Sequence, residues 1–182
     1  MKLAAAARFC ALSGALLLGA CAELQLQLPA EEPQFELAGR IAVRYRDQAS
    51  NANIAWRHGE SADEVLITSA LGQGVARIVR SGGTVSLFAA DGREHRAADA
   101  ETLTEQVLGF RLPLDGLADW VRGRAGRTPG TELRDASGRL AELRQSGWTI
   151  QFQEWSQDGR LPIRLKLLYP GLELRLAISE WK

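Results

Sequence analysis

Hydrophobic and polar residues alternate along most of the chain from Phe35 onwards. The first such segment carries charged residues at Glu36, Arg40 and Arg44. Its opposite face is formed by Phe35, Leu37, Gly39, Ile41, Val43 and Tyr45. Alternation with a period of two is typical of a β-strand that buries one face. Repetition of this pattern along the chain predicts about ten short strands.

Turn-forming residues separate the predicted strands. They occur at residues 47–51, 81–83, 91–92, 146–147 and 170–171. Short connections rich in Gly, Asn, Asp and Ser join antiparallel neighbours, because these residues adopt the backbone angles that tight turns require. We therefore expect an antiparallel sheet with one apolar side.

The hydrophobic period changes in the middle of the chain. Leu103 and Val107 are four residues apart, Asp99 precedes them as an N-cap residue, and Gly109 suits the end of a helix. This spacing predicts a helix of about ten residues.

A second short helix is predicted to begin at an Asp115 cap and to end at Gly123. Its apolar side is formed by Leu117, Trp120 and Val121. The segment that follows, residues 123–131, is predicted to be a loop.

Two such helices cannot cover the whole apolar side of the sheet, because a helix of ten residues is only about 15 Å long. Large antiparallel sheets curl or close. A closed barrel filled by its own side chains, a two-sheet sandwich, and an open half-barrel with the helices as a lid over an apolar cavity all fit the pattern. The pattern alone does not distinguish these three architectures.

Residues 1–20 are interpreted as a secretory signal peptide. Lys2 and Arg8 accompany an apolar run at residues 9–18 that is shorter than the roughly 20 residues needed to span a membrane. The sequence Leu18-Gly19-Ala20-Cys21 resembles the bacterial lipobox, which implies cleavage before Cys21 and attachment of S-diacylglycerol and N-acyl lipid to it. The alternative is an ordinary signal peptide cleaved after Ala20.

Three segments follow from this interpretation. Residues 1–20 are the removed signal, residues 21–34 are a lipidated flexible tether, and residues 35–182 are a single domain. Alternation at residues 24–28 leaves open a short edge strand within the tether. Asp after the lipidated Cys tends to retain lipoproteins at the inner membrane, so Ala22 favours the periplasmic face of the outer membrane.

Composition excludes several classes of function. Removal of Lys2 and Arg8 with the signal leaves 20 basic and 22 acidic residues, which gives no basic surface typical of nucleic-acid binding. Cys10 leaves with the signal and Cys21 carries lipid, so we expect no disulfide and no free thiol in the domain. His58 and His95, which we place in turns, lack neighbours at metal-ligand spacing, and no Gly-x-Ser-x-Gly sequence occurs. We expect no metal, no cofactor and no enzymatic activity.

The order of these features resembles the outer-membrane lipoprotein receptors of the LolB family. The resemblance spans nearly the whole chain, and its most specific parts are Ser69-Ala70-Leu71-Gly72, the segment from Pro113 to Trp120, and the closing Trp181. It implies a mainly β fold in which a curved antiparallel sheet forms a half-open β-barrel, with a short helical lid over a hydrophobic cavity. A similar fold is implied for the periplasmic carrier LolA.

The resemblance also implies a function. Members of the family accept acylated lipoproteins from LolA and insert them into the inner leaflet of the outer membrane, so the implied partners are LolA, lipoprotein cargo and outer-membrane phospholipid. We expect a monomer. The alternatives are an assembly or docking lipoprotein whose apolar face binds a protein partner, and a lipid hydrolase.

Two sets of site residues follow. Leu71 either folds back over the sheet edge or, as the resemblance implies, projects into the membrane. For the tryptophans, ordinary core packing competes with cavity lining. The residues that we predict to line the cavity are Ile41, Val43, Trp56, Leu87, Trp120, Trp148, Ile150, Phe152, Leu165, Leu167, Leu174 and Leu176.

Overall fold

The structure is a computed structural model that describes residues 32–182. The predicted signal peptide, Cys21 and nearly all of the tether lie outside the described residues. Within the described range, no helix has both the length and the apolar character needed to cross a bilayer.

Eleven strands form one antiparallel sheet, in the spatial order β6-β5-β4-β3-β2-β1-β11-β10-β9-β8-β7. The strands are β1 Phe35–Tyr45, β2 Gln48–His58, β3 Asp63–Thr68, β4 Gly74–Ser81, β5 Thr84–Ala89, β6 Glu94–Ala97, β7 Gly130–Arg134, β8 Leu140–Gln145, β9 Trp148–Trp155, β10 Pro162–Tyr169 and β11 Leu172–Trp181. The first and last long strands, β1 and β11, pair at the centre. β6 and β7 are the two edges, so the sheet is open and the predicted half-barrel is confirmed.

The pairing of β1 with β11 contains an irregularity. Their register shifts between Ala38 and Gly39, as at a β-bulge, which increases the local twist of a strand. A side chain at Gly39 would collide with the carbonyl oxygen of Ala177. Glycine at position 39 therefore permits the close approach of β1 and β11 at this point.

Two helices, α1 Ala100–Leu108 and α2 Leu114–Val121, interrupt the strands between β6 and β7. They pack on the face of the sheet that carries Leu37, Trp56 and Leu165, which we call the inner face, and their buried residues belong to the same core cluster. The opposite face, which carries Arg40, is called the outer face. Asp99 caps α1 as predicted, with its side chain accepting from the amide of Thr102 at 2.7 Å.

Four local predictions were wrong. The turn predicted at residues 47–51 is confined to residues 46–47, because β2 begins at Gln48. Asp115 was predicted as the N-cap of α2, but Pro113 occupies that position. The helix begins at Leu114, so Asp115 lies in its first turn. The predicted loop at residues 123–131 ends sooner, because β7 begins at Gly130. All five residues of this edge strand are exposed, so it has no buried face to produce alternation. His58 and His95 lie on strands β2 and β6, not in turns.

Candidate functional site

The structure brings the predicted lining residues together on the inner face or on α2. Ten of the twelve are buried within the common core beneath or within the helices. These are Trp56, Leu87, Trp120, Trp148, Ile150, Phe152, Leu165, Leu167, Leu174 and Leu176. Val43 is half-buried and packs against the core, and Ile41 is half-buried on the same strand. Contact of these residues with acyl chains stays a prediction.

Burial on the inner face decreases along β1, β2 and β3, whereas Leu172 and Leu174, opposite Tyr45 and Val43 on β11, stay buried. Leu37 and Trp56 are buried near one end of β1 and β2, whereas Ile41 and Val43 are half-buried toward the turn that joins these strands. Ile54 and Ile67, which pair across β2 and β3, are half-buried as well. In β1, β2 and β3 the inner face therefore has a closed end, where apolar side chains are buried, and an open end near residues 46–47 and 69–73, where they are only partly covered.

The open end is bordered by the end of α1. The hydroxyl of Tyr45 on β1 donates to the carbonyl oxygen of Gly109 at 2.7 Å. The Tyr45 ring lies 5.3 Å from that of Phe110, which packs half-buried on the core. Gly109 has a φ of 80°, the left-handed conformation that glycine adopts without strain at the end of a helix. The hydrogen bond from Tyr45 and its ring contact with Phe110 thus hold the end of α1 at the open end.

α2 is held by a buried glutamine on β8. The indole of Trp120 donates to Oε1 of Gln145 at 2.7 Å, and the amide of Gly126 donates to the same oxygen at 2.9 Å. The side-chain nitrogen of Gln145 donates to the carbonyl oxygens of Gly126 and Thr128. Trp120 also packs against Trp148, with ring centroids 6.0 Å apart. Gln145 therefore fastens α2 and the following loop to the sheet.

Asp63 organises the closed end. Its carboxylate accepts from the indole of Trp56 at 2.9 Å, from Nδ1 of His58 at 2.6 Å and from Nε of Arg80 at 2.5 Å. Burial by itself would raise the pKa of Asp63, but the hydrogen bonds from His58 and Trp56 and the charges of His58 and Arg80 outweigh it, so that the pKa lies below its ordinary value. Asp63 is therefore an ionised buried group that joins three strands.

Neither the Gln145 contacts nor the Asp63 cluster was predicted from the sequence. His58, Asp63 and Arg80 occupy paired positions on neighbouring strands, where side chains point to the same face. Such a cluster can be found only when the pairing register of the strands is known. The sequence does place two charged residues, Asp63 and Arg80, at inward positions of their strands, which indicates a buried polar contact. Gln145 is likewise an inward polar residue at the end of an alternating segment.

Leu71 extends from a structured loop beside the open end. Its side chain is 88% exposed, which contradicts the interpretation that it folds back over the sheet edge. The amide of Ser69 donates to the carbonyl oxygen of Gln73 at 2.8 Å, and that of Gly72 donates to the carbonyl of Ser69 at 2.9 Å. Asn53 of β2 donates a further bond to the Ser69 carbonyl at 2.9 Å. These bonds hold the loop in a form that presents an apolar side chain to solvent.

Comparison with known proteins decides the family. The family model described as outer membrane lipoprotein LolB matches residues 33–181. The chain belongs to the LolB family. The resemblance drawn from the sequence is thereby confirmed.

LolB relatives match along most of their length. A protein of Thiobacillus denitrificans named outer-membrane lipoprotein LolB is 41% identical over 150 residues, which cover 81% of this chain and 80% of the relative. One of the same name from Chromobacterium violaceum is 38% identical over 179 residues, covering 94% and 96% of the two chains. Among solved structures, a LolA superfamily protein from Nitrosomonas europaea has a TM-score of 0.50 at 13% identity, with 85% and 87% of the two chains covered. This last likeness concerns the fold alone.

Within residues 32–182, no group of three or more His, Cys, Asp or Glu side chains is placed to hold a metal ion. The imidazole of His58 is hydrogen-bonded to Asp63 and lies 4.8 Å from the ring of Phe35.

Proposed function

We propose that this LolB protein is anchored by lipid on Cys21 to the periplasmic face of the outer membrane, where it accepts lipoproteins from LolA and releases them into the inner leaflet. It acts as a monomer and performs no covalent chemistry. The observation that carries the proposal is the placement of the exposed Leu71 beside the partly covered apolar margin of the inner face. A receptor for acyl chains needs both an apolar path and a point of contact with the bilayer.

The energetics of acyl transfer support an apolar path. Each buried methylene contributes about 0.8 kcal/mol, so exposing a sixteen-carbon chain to water costs about 12 kcal/mol. A lipoprotein with about three such chains cannot cross the periplasm freely. The inner face offers aliphatic and aromatic side chains, which favour acyl chains without fixing their orientation.

The half-buried residues mark the proposed entrance. Val43 and Ile54 pack half-buried against the core at the open end, Ile41 is half-buried beside them, and Phe110 contacts Tyr45 at this margin. Because the closed end is filled by its own side chains, acyl chains must displace α1 and Phe110 to reach the inner face. Close-packed protein interiors do not admit a chain without such movement.

In this proposal Leu71 orients the domain on the membrane, whereas the lipid on Cys21 anchors it. Burial of a leucine side chain contributes only about 1.5–3 kcal/mol, far less than the lipid on Cys21. Insertion of Leu71 in the leaflet would turn the open end toward the membrane. Released acyl chains would then pass directly from the inner face into the bilayer.

A transfer assay tests the proposal. LolA loaded with a labelled lipoprotein is mixed with the mature protein in vesicles, and cargo is followed from LolA to the protein and then to the lipid. Leu71→Glu should accept cargo normally and lose most delivery to lipid, because a carboxylate in the leaflet is unfavourable. Leu133→Glu is the matched control, since Leu133 is an exposed leucine, at 62%, on the edge strand β7.

Two results would count against the proposal. Equal delivery by the Leu71 variant and the wild type removes Leu71 from the mechanism. Failure of the wild type to take cargo from LolA, or to bind a fluorescent fatty acid, favours the alternative of a docking lipoprotein whose apolar face binds a protein.

A further inference from the structure

The outer face carries a groove over its central strands that the proposed transfer of acyl chains does not use. It has a volume of about 730 Å³ and crosses β2, β1, β11, β10 and β9. Its lining combines small side chains, among them Ala42 and Ala177, with longer polar ones, and it also includes Ile41, Leu165 and Leu176, which alternate with them along the strands and belong to the inner face. We call it the outer groove; the polar residues of interest are Arg40, Asn53, Gln153, Arg164, Lys166 and Arg175.

Positive charge exceeds negative charge around the outer groove. Arg164 pairs with Glu154 at 2.8 Å, while Lys166 and Arg175 share Glu173 at 3.2 and 2.6 Å. Arg40 forms no ion pair with any residue in the range 32–182, and its side chain is exposed. Four cations therefore face two carboxylates.

The register explains why the charges remain unbalanced. Arg40 pairs with Asn53 on one side and Ala177 on the other, and Arg164 also pairs with Ala177. Neither neighbour of Arg40 is acidic. By contrast, Glu36 and Arg57 pair across β1 and β2 on the same face and form an ion pair at 3.3 Å. The excess of cations thus belongs to the middle of the face.

The outer groove is continuous with the Leu71 loop. Ala70, the residue before Leu71, is part of its lining. Asn53, also in the lining, donates the hydrogen bond that fixes the Ser69 carbonyl at the base of the loop. A membrane contact made by Leu71 would therefore bring the neighbouring part of the outer groove to the level of the lipid headgroups.

We propose that the outer groove binds the phosphate groups of anionic phospholipids in the leaflet that Leu71 enters. Arginine side chains bind phosphate oxygens through paired N–H donors, and basic residues near an anionic membrane surface attract its lipids. The inference rests on the proposed membrane contact of Leu71, and it assigns the headgroup contact to a face separate from the acyl path. Proximity to Leu71 favours lipid over an acidic protein as the occupant.

The test uses the mature, lipid-anchored protein in vesicles of phosphatidylcholine and in vesicles in which phosphatidylglycerol replaces part of it. A spin label at Gln153→Cys reports from the exposed rim of the outer groove. A label at Thr131→Cys, on the exposed edge strand β7, is the reference. The measurement is the accessibility of each label to a water-soluble nickel complex.

Phosphatidylglycerol should protect the label at residue 153 and leave the reference label accessible. The variant Arg40→Gln/Arg164→Gln/Arg175→Gln should lose this protection, since each arginine changes the ratio of docked to undocked protein by about fivefold. The control Arg96→Gln/Arg134→Gln/Arg144→Gln removes the same charge from three exposed arginines outside the outer groove and should keep the protection. Molar salt should abolish it in the unsubstituted protein, which requires no change to the fold.

Three outcomes would overturn the inference: equal accessibility of the label at residue 153 in both vesicles, equal loss of protection in both triple variants, or protection that requires added LolA and not phosphatidylglycerol. The last outcome would identify the occupant as an acidic protein surface. Cargo transfer from LolA is measured on the same vesicles. Transfer without lipid-dependent protection overturns only the role of the outer groove, whereas absence of transfer overturns the proposed function itself.

Discussion

The two helices cover the same sheet but are held to it very differently. In α2, five of eight residues are buried, namely Leu114, Leu117, Ala118, Trp120 and Val121. In α1, only Leu103 and Thr104 of nine residues are buried. Since burial of apolar area is the main source of packing energy, α2 is part of the core and α1 is a cover over it.

Polar contacts reinforce the difference. Gln145 is buried and uses both of its side-chain groups to hold α2 and the next loop. α1 is held at its end through the hydroxyl of Tyr45, in an exposed bond. A bond at the surface competes with water, so its net contribution is small. We therefore expect α1, the helix next to the open end, to have the lower local stability.

Replacement of Trp120 tests whether α2 belongs to the core. Trp120→Ala should reduce the free energy of unfolding by about 3–5 kcal/mol, because it removes a buried aromatic side chain and one of the two donors to Oε1 of Gln145. Urea unfolding followed by circular dichroism measures the change. Trp155→Ala is the matched control, since Trp155 is only half-buried and should lose about half as much. Equal losses in the two variants would mean that α2 has no special place in the core.

Asp63 tests whether the closed end supports the start of α2. Arg80, which binds Asp63, also lies 4.0 Å from Asp115 in the first turn of this helix. Asp63→Asn keeps the shape but removes the charge that His58 and Arg80 face, and should cost roughly 2–3 kcal/mol of unfolding free energy at neutral pH. Glu64→Gln, at a half-exposed ion pair with Arg77 on the outer face, should cost less than about 1 kcal/mol.

The same variant predicts a pH dependence. The pKa of Asp63 is lowered in the folded protein, so its contribution is complete above the unfolded carboxyl pKa of about 3.9 and is lost as the pH falls through the folded value. The difference in unfolding free energy between wild type and Asp63→Asn should therefore be constant from pH 7 to about pH 5 and shrink below about pH 4. A difference that stays constant in acid would show that the charge of Asp63 does not stabilise the fold.

Much of this fold follows from local rules in the sequence. Alternation located the long strands, because each has one buried face, and Asp99 and Gly109 marked the ends of α1 through capping preferences. The edge strand β7 escaped detection because none of its residues is buried. The exposure of Leu71 depends on hydrogen bonds between Ser69, Gln73 and Asn53, which no periodicity reveals.

The sequence predicts which residues form the site better than it predicts how far each of them is covered. The predicted lining residues do share the inner face or α2, because residues two apart on a strand point the same way. Which of them are fully covered depends on the paths of α1 and α2 across the sheet. Those paths are set by long-range contacts such as Trp120 with Gln145 and Tyr45 with Gly109, and the sequence does not encode them in any local pattern.

The smallest expected change in stability tests the mobility of α1. Tyr45→Phe removes one exposed hydrogen bond and should lower the global free energy of unfolding by no more than about 1 kcal/mol. Tyr169→Phe is the matched control, since Tyr169 packs its ring against Trp148 on the same sheet.

The local effect of Tyr45→Phe should exceed its global effect. Amide hydrogen exchange in α1, near residues 104–109, should accelerate by up to about tenfold, while α2 keeps the exchange rates of the wild type. Uptake of a fluorescent fatty acid should become faster, because α1 and Phe110 cover the half-buried margin where acyl chains are proposed to enter. If α1 exchanges as slowly as α2 in the wild type, the two helices open together, and the entrance must lie elsewhere than beneath α1.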